Sequence, residues 1–160
     1  MARVLSAETL DAIAGARARY PSAQSALLPA LHAAQAQAGY LPEPVLADVA
    51  DALGVPVTEV AAVATFYSMF HTAPVGRHVV RVCTNLSCHL NGADGVMDRL
   101  CRQLGIRPGQ TTPDGRVSLE VAECLAACEE APVLLADADR VARVTPDAAD
   151  ELVRRLRADA

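Results

Sequence analysis

The chain has 160 residues and a formal net charge of −5, and 52% of its residues are hydrophobic while only 3% are aromatic. This length fits one domain or two small ones, and an acidic chain without any run of basic residues argues against a nucleic-acid-binding protein. No apolar stretch reaches about 18 residues and the chain opens without a signal-peptide pattern, so we expect a soluble intracellular protein that neither spans a membrane nor is secreted.

The first half of the chain has the apolar spacing that is typical of helices. Ser6 is expected to cap the first helix, and Gly39 and Gly54 to end the second and the third. The predicted helices cover about residues 7–19, 27–38, 42–53 and 58–70. Because they are short and rich in alanine, we expect a thin bundle that depends on packing against another surface. Four larger side chains are expected in the core of this bundle: Phe66, Tyr67, Met69 and Phe70.

The second half of the chain alternates between strands and helices, after a break at residues 71–78 that contains proline and glycine. The predicted order is strand, helix, strand, strand, strand, helix, over residues 79–82, 92–105, 117–124, 132–136, 141–144 and 145–157. This order indicates a sheet covered by helices, as in thioredoxin-like α/β domains. We therefore expect a helical bundle over residues 1–75 and an α/β domain over residues 76–160.

Four of the five cysteines form two spaced pairs. Four residues separate Cys83 from Cys88, and three separate Cys124 from Cys128. Each pair begins where a predicted strand ends. Loops at the ends of neighbouring strands bring two such pairs together at a separation that the sheet fixes, which is the arrangement needed to hold a metal centre from two sides.

Spacing alone leaves more than one use open for these cysteines. Structural disulfides are disfavoured because nothing indicates an oxidising compartment, and a thiol-redox site is disfavoured because the Cys-x-x-Cys spacing is absent. Structural zinc accepts pairs separated by two to four residues. An iron–sulfur cluster also takes four thiolates, and the wider loops would supply backbone N–H groups to it. The spacing favours a cluster only slightly over zinc.

The fifth cysteine, Cys101, is interpreted as a core residue. It lies one turn after Met97 on the apolar face of the predicted helix, where a free cysteine behaves as a small hydrophobic side chain. His89 directly follows Cys88, as a ligand of a Rieske-type cluster would. Four cysteines already complete a ligand shell, however, so we do not expect ligation by histidine.

Further motifs accompany the cysteines in a fixed order over roughly residues 27–146. They are Gly39-Tyr40-Leu41-Pro42, Thr65-Phe66-Tyr67-Ser68, Pro74-x-Gly76, Val82-Cys83-Thr84-Asn85, Gly92-Ala93, Leu104-Gly105-Ile106, Thr111-Thr112-Pro113-Asp114-Gly115, Glu123-Cys124-Leu125, Ala127-Cys128 and Ala131-Pro132. Together these motifs resemble the thioredoxin-like [2Fe–2S] ferredoxins, in particular the E subunits of NADH:quinone oxidoreductase (complex I). Two residues depart from the family's pattern, since Ala126 stands where relatives often have glycine and Val133 where methionine is frequent.

The resemblance implies that Cys83, Cys88, Cys124 and Cys128 bind one [2Fe–2S] cluster, in a chain where a helical bundle precedes a thioredoxin-like ferredoxin domain. It implies a non-catalytic electron-transfer subunit that exchanges single electrons with FMN. FMN and NAD are expected on a flavin- and NADH-binding partner subunit and not on this chain. Other peripheral-arm subunits complete the expected complex, which would hold this cytoplasmic chain at the inner face of the cell membrane without membrane insertion.

Two other functions stay open at this point. The small [2Fe–2S] subunit of an NAD-dependent formate dehydrogenase or NAD-reducing hydrogenase would use the same chemistry in another assembly, whereas a structural zinc adaptor belongs to a different class. Three acids flank the cysteines, namely Glu123, Glu129 and Glu130. Negative charge beside a cluster lowers its reduction potential, so these acids are candidates for tuning it, unless they are ordinary solvated loop residues.

Overall fold

A computed structural model of the chain describes residues 3–158. The chain divides into two compact units, and the break between them falls after Pro74 and before Val75. Within the described residues, the first unit is helical, and the second combines a five-stranded sheet with three α-helices. The architecture is therefore a mixture of helices and one sheet, as predicted from the sequence.

The first unit consists of four α-helices around one core. These are α1 (Ala7–Ala18), α2 (Leu27–Ala38), α3 (Glu43–Leu53) and α4 (Val57–Phe66). The centre of the core is formed by fully buried aliphatic side chains, among them Ile13, Leu31, Leu41, Val45 and Val49.

The ends of these helices follow from local chemistry. The Ser6 hydroxyl accepts a hydrogen bond from the Thr9 N–H at 3.2 Å, so Ser6 caps α1 as predicted. Gly54 ends α3 with φ at +67°, a left-handed conformation that glycine adopts without penalty. The buried Asp48 carboxylate accepts the backbone N–H groups of Val4 and Leu5 at 2.6 and 2.9 Å, which fixes the segment before α1 against α3.

The prediction that Phe66, Tyr67, Met69 and Phe70 lie in the bundle core is wrong for two of the four, since Met69 is 38% exposed and Phe66 is more exposed still. Phe66 is 79% exposed, whereas Phe70 is buried. The reason is the phase of α4: its buried face is that of Val60 and Ala64, and Phe66 follows Ala64 by two positions, which puts it about 200° around the helix on the opposite face. Among the described residues, no single helix is long and apolar enough to cross a membrane; α3 and α4 meet the length and composition of a span only as a pair bent by 120°.

The second unit is built on a five-stranded sheet of order β2-β3-β1-β4-β5. Its strands are β1 (His78–Cys83), β2 (Gln110–Thr111), β3 (Val117–Ala122), β4 (Leu134–Ala136) and β5 (Asp139–Val141). The two central strands, β1 and β3, are parallel, and the other neighbouring strands pair antiparallel. Because parallel strands end at the same edge of a sheet, the segments that follow β1 and β3 come together there.

Three helices complete this unit: α5 (Leu86–Leu90), α6 (Ala93–Leu104) and α7 (Pro146–Ala158). The apolar faces of α6 and α7 form a core with the inner face of the sheet, around Leu100, Leu119 and Leu134. Thr145 accepts the Ala148 N–H at 3.2 Å and caps α7, as the sequence indicated.

Helix α5 and strand β2 were not predicted, and three predicted strands are shorter than expected, the first of them being Val117–Ala122 where 117–124 was expected. Helix α5 and the two-residue β2 lie in segments that were expected to be loops. The predicted strand 132–136 reduces to Leu134–Ala136, and the strand expected at 141–144 is Asp139–Val141. The backbone of residues 143–144 still bonds to residues 130–132, but Arg143 has a left-handed φ of +49°, which interrupts the strand.

Candidate metal centre

The two cysteine loops meet at one edge of the sheet because the strands that precede them are parallel neighbours. Cys83 is the last residue of β1 and pairs in register with Ala122, the last residue of β3. The Thr84 N–H then donates to the Ala122 carbonyl at 2.9 Å, so the two chains leave the sheet side by side. Cys124 follows two residues later. This is the juxtaposition expected from the predicted strand ends.

The first loop contains a short helix that the sequence-based prediction missed. The Asn85 side chain accepts the Leu86 N–H at 2.7 Å and starts α5, whose third residue is Cys88. The one signal for this helix in the sequence is Asn85, a residue type that often caps helices. Five residues are too few to show the periodic apolar spacing by which a helix is recognised. The helix places Cys88 in a buried position, at 2% exposure.

The second loop keeps its cysteines at the surface. Cys124 and Cys128 are both exposed, and Cys128 opens the 3₁₀ turn Cys128–Glu130. Between them Ala126 has φ at +54° and donates its N–H to the Cys124 sulfur at 3.3 Å. A left-handed φ is adopted most easily by glycine. This explains why relatives often have glycine at the position that Ala126 occupies in this chain.

A small apolar cluster, separate from the main core, surrounds the buried cysteine pair. Its buried members are Cys83, Cys88, Ala93, Ala127 and Val133, with Leu125 and Ala131 partly buried beside them. The Cys83 N–H donates to the Val133 carbonyl at 3.1 Å, which ties the end of β1 to the segment before β4. The inner side of the site is therefore apolar, and its outer side opens to solvent at Cys124 and Cys128.

The thiols lie close enough to influence one another's ionisation. Burial raises the pKa of the Cys88 thiol, and a hydrogen bond with Cys83 and the nearby Cys128 raise it further. The repulsion of a neighbouring Cys124 thiolate is the largest cause that raises the pKa of Cys128, with Cys83 contributing as well. The two loops thus bring Cys128 within electrostatic reach of Cys83 and Cys88, and a bound cation would favour the thiolate forms of Cys88 and Cys128.

The charged residues around the loops differ in their surroundings. Glu123 and Glu129 are exposed, whereas Glu130 is half-buried and forms an ion pair with Arg140 at 3.2 Å. His89 is turned to Asp94, with Nδ1 at 2.9 Å from the carboxylate, on the exposed side of α5.

Cys101 lies apart from this arrangement. It is half-buried on α6 and packs against the core that α6 and α7 form with the sheet. Burial is the main cause that raises the pKa of its thiol. Its environment agrees with the interpretation of Cys101 as a core residue, although it is less deeply buried than that interpretation implied.

The four thiols of the two loops are a donor set that suits a [2Fe–2S] cluster. Within residues 3–158, no three His, Cys, Asp or Glu side chains converge closely enough to hold one metal ion. A tetrahedral zinc would need three or four of the sulfurs around one point, whereas a [2Fe–2S] cluster needs only two thiolates on each iron. Two cysteine pairs on neighbouring loops supply the number of thiolates that such a cluster requires.

Comparisons with known proteins give relatives that match most of this chain. A family model described as thioredoxin-like [2Fe-2S] ferredoxin matches residues 13–157. The chain is 45% identical over 148 residues to the E 2 subunit of NADH-quinone oxidoreductase from Rhizobium meliloti, covering 92% of this chain and 88% of the relative. It is 41% identical over 153 residues to the E subunit of NADH-quinone oxidoreductase from Escherichia coli, covering 96% and 92%.

A solved structure is similar as well. The crystal structure of an NAD+-reducing [NiFe]-hydrogenase in the H2-reduced state matches 81% of this chain with a TM-score of 0.72 and 28% identity. This chain covers only 22% of that hydrogenase chain, so the similarity concerns one part of a longer polypeptide. The family model and the identity over nearly the whole length with the two relatives lead to one conclusion: the chain belongs to the thioredoxin-like [2Fe-2S] ferredoxin family, together with the E subunits of NADH-quinone oxidoreductases.

Proposed function

We propose that this chain is the [2Fe–2S] electron-transfer subunit of an NADH-quinone oxidoreductase, as the E subunits are among its relatives. The observation that carries this proposal is the meeting of the two cysteine loops at one sheet edge, in a chain that matches those subunits over most of its length. FMN and NAD would be bound by a flavin- and NADH-binding partner subunit, with which this chain exchanges single electrons.

The ligands of the cluster would be Cys83 and Cys88 from the first loop and Cys124 and Cys128 from the second. When bound, the cluster takes up and releases one electron at a time, so it needs no acid, base or nucleophile from the chain. The chain's own residues hold the thiolates, bury one pair among apolar side chains and direct the Ala126 N–H at the Cys124 sulfur. Burial and such N–H groups are what set a cluster's potential.

The complex would place the chain beside the flavin-bearing subunit and other peripheral-arm subunits. We infer that it lies in the cytoplasm, at the inner face of the cell membrane, and that it reaches the membrane only through the complex. The thin helical bundle, with Phe66 at its surface, is consistent with a subunit that completes its packing against larger neighbours.

The test is the chemistry and spectroscopy of the purified full-length protein. We expect iron and acid-labile sulfide in equal amounts, a reddish-brown colour that dithionite bleaches, and an EPR signal of one reduced [2Fe–2S] cluster. Replacement of Cys83, Cys88, Cys124 or Cys128 by serine should abolish or shift that signal, and Cys101→Ser should preserve it and only lower stability. A colourless protein with one zinc per chain would refute the proposal in favour of a structural zinc adaptor.

A second assembly is supported by one observation, the similarity to the NAD+-reducing hydrogenase chain. In that case the chain would serve as the small [2Fe–2S] subunit of an NAD-reducing hydrogenase or an NAD-dependent formate dehydrogenase. The higher identity to the E subunits, over nearly the whole of both chains, favours the quinone-reducing complex. Purification of the native complex separates the two, because only the first contains quinone-reducing membrane subunits.

A further inference from the structure

The second cysteine loop has little regular structure, although it carries two of the four proposed ligands. Its regular part is the 3₁₀ turn Cys128–Glu130, which the Glu130 N–H closes on the Ala127 carbonyl at 3.0 Å. Glu130 is the last residue of the turn that Cys128 begins, so a contact that holds Glu130 in place also holds Cys128. The contacts of Glu130 therefore bear on how firmly this side of the site is built.

The Glu130 carboxylate lies against Arg140 of the edge strand β5. Its Oε2 atom is shielded from solvent and stands 3.2 Å from the Arg140 Nη2. Within residues 3–158 this oxygen accepts no hydrogen bond of regular geometry, so its interaction is the attraction between the two charges. A shielded carboxylate oxygen is costly to leave without a counter-charge. Arg140 thus makes this position of the Glu130 side chain favourable.

The chain after β5 holds the same loop through its backbone. The Arg143 N–H donates to the Glu130 carbonyl at 2.8 Å, and the N–H of the next residue donates to the Pro132 carbonyl at 2.9 Å. Arg143 makes its bond from a left-handed conformation, with φ at +49°, which a residue other than glycine adopts only at a cost. A strained residue of this kind persists where the surrounding contacts fix it. We call Arg140 and the backbone of residues 143–144 the β5 clasp.

We infer that Arg140 and Glu130 are positioning residues for the proposed [2Fe–2S] cluster, because their ion pair fixes the turn that carries Cys128. This inference rests on the proposed function. Two anchors then hold the turn, one from α5 and one from β5. The first is the Ser87 hydroxyl, which donates to the Cys128 carbonyl at 3.1 Å, and the second is the β5 clasp at Glu130. The first cysteine pair needs no such device, since the chain's own packing buries it.

The ion pair also makes the charge beside the cluster depend on two residues. Glu130 carries a negative charge two residues from Cys128, and Arg140 places the opposite charge 3.2 Å from it. Loss of Arg140 alone would leave the negative charge unbalanced, which lowers the reduction potential of a cluster. Loss of both residues would restore the balance of charge but not the anchor. The reduction potential and the retention of the cluster therefore report on two different consequences of the pair.

The experiment uses the full-length protein with its cluster and measures how fast an iron chelator removes the cluster, from the bleaching of the visible absorbance. The test variants are Arg140→Gln, Glu130→Gln and the two combined, and Arg140→Lys is the conservative variant that keeps the charge. The matched control is Arg102→Gln, which removes the same charge from an exposed position in the last turn of α6. A redox titration followed by EPR gives the reduction potential of every variant.

We expect Arg140→Gln and Glu130→Gln each to speed the loss of the cluster by about two- to fivefold, the range that a partly exposed ion pair gives. The double variant should lose its cluster no faster than either single variant, because both substitutions break the same contact. Arg140→Gln should lower the reduction potential, and the double variant should return it toward the parent's value. Arg140→Lys and Arg102→Gln should stay close to the parent in both measurements, since the first keeps the charge and the second lies outside the pair.

Loss of the cluster from Arg140→Gln at the parent's rate would overturn the inference. Single effects that multiply in the double variant would overturn it as well, because they would show that Arg140 and Glu130 act independently. Glu130→Gln, which keeps the shape of its side chain, tests the same ion pair if Arg140→Gln does not fold. Absence of the EPR signal from the parent would instead refute the proposed function.

Discussion

The Ser87 hydroxyl donates a hydrogen bond to the backbone carbonyl of Cys128 at 3.1 Å, across 41 positions of sequence. This contact joins α5, which carries Cys88, to the loop that carries Cys124 and Cys128. The cysteine pairs are therefore held together by the parallel strands below them and also by a direct bond between their loops.

Removal of this bond should loosen the site without removing a ligand. We expect Ser87→Ala to lower the free energy of unfolding by about 0.5–1 kcal/mol, since the bond is exposed to solvent, and to speed the loss of the cluster to an iron chelator. The measurements are thermal unfolding and the bleaching rate of the visible absorbance. Ser68→Ala, at an exposed serine of the first unit, is the control. An unchanged bleaching rate would show that the strands alone fix the loops.

The acids beside the second pair should affect the reduction potential unequally. Glu129 is exposed and carries its charge next to Cys128, while the charge of Glu130 is balanced by Arg140 at 3.2 Å. We expect Glu129→Gln to raise the cluster's potential by on the order of 10 mV, because only solvent screens the Glu129 charge. Glu130→Gln should change the potential less, because Arg140 also balances the Glu130 charge. A redox titration followed by EPR measures this, with Glu8→Gln on α1 as control. A larger effect of Glu130 would contradict it.

The ion pair between Arg99 on α6 and Asp150 on α7 should make the free energy of unfolding depend on pH. Arg99 binds both carboxylate oxygens of Asp150, at 2.8 and 2.5 Å, and this hydrogen bonding holds the pKa of Asp150 below its usual range. Because the pKa of Asp150 is lower in the folded state, the ion pair stabilises the fold at pH values above about 3.9, the ordinary pKa of aspartate. This stabilisation is lost as the pH falls through the pKa of Asp150 in the folded state.

Asp150→Asn should therefore lower the unfolding temperature at pH 7 by roughly 2–5 °C, and the difference from the parent should shrink as the pH falls below about 4. Thermal unfolding followed by circular dichroism between pH 3 and pH 7 tests this. Asp139→Asn replaces an exposed carboxylate on β5 and should give a curve parallel to the parent's. A constant difference for Asp150→Asn at all pH values would show that only packing was lost.

Gly76 should resist any side chain, because the backbone of β3 lies directly against it. A Cβ built at Gly76 would stand 2.8 Å from the Val117 carbonyl carbon and from the Ser118 nitrogen, and the Gly76 N–H donates to the Ser118 hydroxyl at 2.7 Å. We expect Gly76→Ala to destabilise the protein by about 1–3 kcal/mol.

Gly95 on α6 gives the opposite control, since nothing lies within 4 Å of its Cβ position. Gly95→Ala should stabilise by about 0.5–1 kcal/mol through helix propensity. Denaturant unfolding measures the free energy of unfolding of both variants. Equal changes for Gly76→Ala and Gly95→Ala would refute the argument that close contact with β3 excludes a side chain at Gly76.

The sequence by itself determined the elements whose signals are local. The helix caps at Ser6 and Thr145 follow from one side chain and its neighbours, and the strands ending near Cys83 and Cys124 from a short apolar alternation. The motifs around the cysteines also indicated the family, and the family model and relatives confirm it. These properties depend on residues close in the chain, so no long-range contact was needed to see them.

Only the tertiary structure decided which side chains are covered. Phe66 was expected in the core and is exposed because α4 buries the opposite face, that of Val60 and Ala64, and α5 was missed because a single helical turn has no readable period. The unequal burial of the cysteines, with Cys83 and Cys88 inside and Cys124 and Cys128 at the surface, arises where the ends of two parallel strands meet. Burial is a sum over contacts between distant segments, and sequence spacing does not contain those contacts.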